Sequence, residues 1–169
     1  MRYLPKSDAE RAQMLEACHR PDDATTALNQ ALRANPTRAE LYRYATEFLL
    51  QKGRVTDALA LLDRGAQIAH GNPNILLLQV VALEAAGKSD DAKRALKKIE
   101  NRWPDWHEIW LARAIFEHWS GSEDRSRQAL QTADALGATN AEQRYASVVK
   151  PPQPQGAERG TRLLNALFP

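Results

Sequence analysis

Chemistry in this chain would have to begin at its histidines, His19, His70, His107 and His118. His107-Glu108 opens like the helix of a zinc protease, where two histidines one turn apart grip the metal and the glutamate takes a proton from bound water. The second histidine would stand at position 111, which is Leu111, so the motif is broken. His19, His70 and His118 are far apart in sequence, and no Cys or carboxylate spacing around them repeats the geometry of a metal site. They read as surface or helix-end residues. The single cysteine, Cys18, cannot close an internal disulfide or hold a metal alone, and it reads as a small apolar residue. Glycines are isolated, so no loop can cradle a phosphate. No Gly-x-Ser-x-Gly elbow presents a nucleophilic serine, and Trp119-Ser120-Gly121-Ser122-Glu123 reads as a turn and a helix start. Carboxylates are scattered, and none pair for acid–base work. The expectation is a non-enzyme with no cofactor and no metal.

One charged cluster remains. Lys93, Arg94, Lys97 and Lys98 share a helical face, with Arg102 beyond. Such a face could meet phosphates. Asp90, Asp91 and Glu100 flank it, so a solvated face is the simpler reading, and nucleic acid is an unfavoured partner.

The elements that carry these residues recur. Ala24, Ala58 and Ala92 stand 34 residues apart, and Ser126 takes the next slot. Leu28, Leu62, Leu96 and Leu130 keep the same step, as do Gly53, Gly87 and Gly121, and Asp23, Asp57 and Asp91. Pro36 and Pro104 are two steps apart. In the stretch Pro73 to Pro104, Leu76, Val80 and Leu83 have helical spacing before Gly87, and Ala92, Leu96 and Ile99 have it after. That is a helix hairpin, and a hairpin cannot bury its apolar stripe alone. Stacked copies bury each other, and the small residues let paired helices approach.

These residues resemble the tetratricopeptide repeat. The third copy matches the pattern with Leu76, Val80, Leu83, Gly87, Ala92, Leu96 and Pro104. The second offers Tyr42, Ala45, Leu49, Gly53, Ala58 and Leu62, the fourth Trp110, Ala114, Gly121 and Leu130. The first keeps Ala12, Leu15, Ala24, Leu28, Ala31 and Pro36. The resemblance covers about residues 5–140. His19 replaces a turn glycine, Ser126 a small alanine, and Arg113 and Glu117 stand where apolar residues are expected. The implied fold is all-α, a right-handed superhelix of about four helix hairpins.

Composition agrees with a folded chain: 169 residues, 43% hydrophobic, 26% charged, net charge +2. No secretory signal or bilayer-spanning run is visible, so the chain reads as cytoplasmic, without membrane insertion. Ser7 and Glu10 have capping-box spacing, which would start the first helix. The copies are placed at about 5–38, 39–72, 73–106 and 107–140. A partial fifth copy runs over 141–150, and a proline-rich linker over 151–156. Residues 157–169 form a short amphipathic segment with Leu163, Leu164, Leu167 and Phe168. A helix this short does not persist alone in water. It could cover the exposed end of the solenoid or fold back into the groove. Capping is expected, because the unfinished end lies nearest.

In the resembled family, the first helices of successive hairpins line a concave groove that holds a peptide. By register this implies Arg43, Glu47, Leu50 and Gln51 in the second copy, and Asn74, Leu77, Val81, Glu84 and Ala85 in the third. The fourth adds Glu108, Leu111, Ile115, His118 and Trp119. The cluster of Lys, Arg and Asn that clamps a terminal carboxylate in some members is missing. Leu77, Val81, Leu111, Ile115 and Trp119 favour an apolar or amphipathic segment instead, each anchor worth about 1.5–3 kcal/mol. The function expected is a non-catalytic scaffold for a protein or peptide rather than a small molecule. The alternatives are self-association, through the repeat ends or the tail, and RNA binding.

Overall fold

A computed structural model describes residues 21–150 and 152–168. Cys18, His19 and the Ser7–Glu10 capping box lie outside them, as does the side chain of Ala24. The described residues form α1 (Pro21–Ala34), α2 (Ala39–Gln51), α3 (Val55–Ile68), α4 (Pro73–Ala85), α5 (Ser89–Arg102), α6 (His107–Trp119), α7 (Glu123–Ala135), α8 (Ala141–Val149) and α9 (Gly156–Leu167). No strand occurs among them. The fold is an all-α solenoid of consecutive helix hairpins.

The 34-residue step is visible in the backbone. Gly53, Gly87 and Gly121 follow α2, α4 and α6 with φ of 69°, 71° and 76°. Each donates its N–H to the carbonyl three residues back, and the next residue donates to the carbonyl five back, as Gly87 does to Glu84 and Lys88 to Leu83. This left-handed turn satisfies the last helical carbonyls, and a Cβ would strain it. A second repeated bond ties hairpin to hairpin. Tyr42 Oη donates to Pro36 O at 2.8 Å, and two steps later Trp110 Nε1 donates to Pro104 O at 2.6 Å. At α4 the side chain of Asn72 accepts from Asn74 N at 3.0 Å, and Pro73 occupies the first turn, where its missing N–H costs nothing.

Within hairpins, small residues allow close packing. Gly65 lies under the Tyr42 ring: a Cβ there would fall 2.4 Å from Tyr42 Cε1. The α6–α7 pair makes the most extensive contact in the fold, with Ala112 and Ala114 buried on one helix and Ser126, Ala129 and Ala133 on the other. Ser126 is therefore no defect in the alanine column. Its hydroxyl donates to Ala114 O at 2.8 Å and lies 2.8 Å from Tyr145 Oη, which binds α8 to the pair.

Arg113 and Glu117 also have their reason. Glu100 on α5 takes bonds from Lys97 at 2.6 Å and from Arg113 on α6. Glu117 lies 3.6 Å from Arg113 and 2.9 Å from Arg125 on α7. The apolar residues expected at 113 and 117 are replaced by an ionic chain across three helices. Burial pushes the Glu100 carboxyl up, but the bonds from Lys97 and Arg113 outweigh it and hold the group below its ordinary range. A depressed folded value means that the carboxylate stabilises the fold above its unfolded value and stops doing so as pH falls through the folded one. Glu100→Gln should cost about 1–3 kcal/mol at pH 7 by thermal or urea unfolding. The gap to the parent should close on acidification below the ordinary carboxylate range. A gap that held constant down to that acidity would show that charge at Glu100 contributes nothing.

Candidate protein-binding groove

The first helices α2, α4, α6 and α8 form one face of the array. α2 packs on α4 and α6 on α8, whereas α4 and α6 touch sparsely. α9 lies along this face. Its largest contact is with α4, followed by α2 and α8, and it also reaches α6. The C-terminal segment thus lies along the inner face of the array. At the end of the array it also packs on α8, where a cap was expected.

On the apolar stripe of α9, Leu163, Leu164 and Leu167 are buried, and in the same core Leu77, Val81, Leu111 and Ile115 are fully buried. Gly160 sits against α4, where a Cβ would meet Ala85 Cβ at 2.4 Å, Ala85 Cα at 3.1 Å and Val81 O at 3.2 Å. One residue earlier, the Arg159 guanidinium lies 3.9 Å over the Trp119 ring, with Nε 2.5 Å from Glu84 Oε1. Glu84 is only 1% exposed, and its Oε1 also accepts from Ser89 at 2.9 Å. Its Oε2 is buried with no hydrogen-bond partner among the described residues. Burial pulls the Arg159 guanidinium below its ordinary value, against the pull of Glu84. At the other end, Arg144 Nε donates to Ala166 O at 2.7 Å, closing a last-turn carbonyl, while Nη2 pairs with Glu108 and Nη1 donates to Thr139 O at 3.2 Å. Arg159 marks the last residue of α6 and Ala166 its first turn, so α9 runs antiparallel to α6.

The register-derived residues divide into two groups. Val81, Glu84, Ala85 and Trp119 lie against α9 at Arg159 and Gly160, with Glu108 beside it through Arg144, and Leu77, Leu111 and Ile115 are buried in the same core as the α9 leucines. Leu50 is buried at the end of α2. Arg43 and Glu47 pair with each other at 3.6 Å, with Arg43 over the Tyr44 ring, and Gln51 is exposed. His118 faces the linker rather than α9: it lies 2.9 Å from Glu123, edge-on to Tyr145, and 3.4 Å from Gln153. Register does not point to Arg144, Arg159 or Gly160. The usable signal is Gly160, a glycine inside an amphipathic segment, which marks a close approach.

The basic face of α5 lies elsewhere and is partly spent. Arg94 pairs with Asp91, Lys97 with Glu100, and Arg102 stacks 4.6 Å over Trp103. Among the described residues, no group of three or more His, Cys, Asp and Glu could hold a metal. None of the described helices is long and apolar enough to cross a membrane.

The tetratricopeptide repeat family model matches residues 15–80 and again 49–116. The chain belongs to the tetratricopeptide repeat family. Such repeats generally mediate protein–protein interaction and serve as non-catalytic scaffolds. No curated protein matches this tetratricopeptide repeat chain. Its distinguishing feature is therefore read from its own geometry: the face that the family resemblance assigns to a partner is filled by α9.

Proposed function

We propose that this protein is a protein-interaction scaffold whose inner face receives a helical segment of a partner protein, in competition with α9. One observation carries the reading: the face is complementary to an amphipathic helix in shape, apolarity and charge, because it already holds one. Leu77, Val81, Leu111 and Ile115 supply the apolar floor, and Glu84 and Trp119 supply the polar end. A helix laid in a groove through anchors spaced by turns is a standard recognition mode. Asp substitutions in that floor cannot test the reading, since those side chains are fully buried and the variants would unfold. The useful variant acts on α9. Full-length Leu164→Asp should capture a partner in higher yield than the parent from the source cell. Free peptide of sequence 156–168 should compete that capture away. Capture that is equal for both chains and indifferent to the peptide would sink the reading.

A further inference from the structure

The groove does more than accept greasy helices, and three features of its wall restrict what fits. The first is electrostatic. Glu84 is 1% exposed, with one oxygen held by Ser89 and Arg159 and the other without a hydrogen-bond partner among the described residues. A buried carboxylate without a cation opposite is costly, so an occupant that brings none is penalised. The Trp119 face beside it adds a second attraction for a planar guanidinium. The second feature is steric. At Gly160 the α4 backbone itself lies within reach: a Cβ there would come 3.1 Å from Ala85 Cα and 3.2 Å from Val81 O. Backbone does not yield as the end of a flexible side chain does, so any side chain there lifts the helix off the wall. The third is the apolar register, Leu163, Leu164 and Leu167, four, five and eight residues after Arg159.

We infer that the groove is a receptor selective for helices of the form Arg-Gly-x-x-Leu-Leu-x-x-Leu, presented by a partner protein and bound in place of α9. This rests on the proposed function and names the partner chemistry. The arginine meets Glu84 and Trp119, the glycine lies on Ala85, and the leucines fill the gap between α4 and α6.

The test uses full-length chain and a fluorescent peptide of sequence 156–168, read by anisotropy. The parent chain should bind it weakly, because α9 occupies the site, and Leu164→Asp chain at least tenfold more tightly. Peptides carrying Arg159→Glu or Gly160→Leu should each bind the opened chain at least tenfold less well. Helicity by circular dichroism checks that the opened chain is folded. If Leu164→Asp does not fold, Gly160→Leu in the chain opens the groove by steric lift alone. Equal binding of all three peptides would overturn the selectivity and leave the scaffold reading standing. Failure of every amphipathic helix to bind an opened, folded chain would overturn both. Concentration-dependent dimers of the parent, lost in Leu164→Asp, would make a second copy the occupant and overturn the assignment to a partner protein.

Discussion

Leu164→Asp is expected to cost about 3–5 kcal/mol, from a lost apolar side chain and a carboxylate forced into an apolar site. For a chain of this size that lowers the unfolding midpoint by roughly 6–20 °C. Asn165→Asp, one residue on and exposed, should leave the midpoint nearly unchanged. The large value follows from where α9 sits. α4 and α6 barely touch, so α9 carries much of the apolar contact between the two halves of the array. Its removal exposes Leu77, Val81, Leu111 and Ile115 together. The variant should bind a hydrophobic dye, and protease should cut within residues 150–156 sooner than in the parent. Calorimetry of the two variants side by side decides the matter. Identical midpoints would mean that α9 contributes nothing to holding the array together.

The second large effect concerns Glu84 and Arg159. Arg159→Met should cost about 3 kcal/mol, because it strands a carboxylate that solvent cannot reach. Glu84→Leu should cost less, about 1–2 kcal/mol, because the Arg159 side chain is 24% exposed and can turn toward water while keeping contact with Trp119. The double variant should be more stable than Arg159→Met alone, with a coupling of about 1–3 kcal/mol. Urea unfolding of the four chains closes the cycle. Strict additivity would show that the two groups do not act on each other, and the electrostatic part of groove selectivity would lose its basis.

The repeat was legible because its determinants are local. A glycine after α2, α4 and α6, a small residue in each second helix and a leucine one turn later recur with the hairpin, so counting residues finds them. The ionic chain through Glu100, Arg113 and Glu117 was not legible, since its members come from different helices: Arg113 and Glu117 looked like breaches of the pattern and Glu100 like the edge of a solvated face. Register implied Leu77, Val81, Glu84, Leu111, Ile115 and Trp119 for the inner face, and of these Val81, Glu84 and Trp119 lie against α9. What register could not give was the occupant. Leu163, Leu164 and Leu167 suited either an end cap or a groove filler. Which helices α9 meets is a long-range fact that no residue spacing records. Gly160 was the one local hint, and it matters only beside Ala85.

The tether of α9 has a further consequence for how the array responds to its surroundings. On the proposed function, the short connection from α8 to α9 keeps the helix beside its own site, so an incoming helix would compete against a local concentration on the order of millimolar. A free competitor of equal intrinsic strength would have to reach that concentration to take half the sites. Abundant weak binders are thereby ignored. Occupancy changes only for a helix that binds far more tightly, or for one delivered by a neighbour already anchored to the outer surface. In that reading the short leash would make the face a threshold detector, and shortening or lengthening it should move the threshold without altering a single contact.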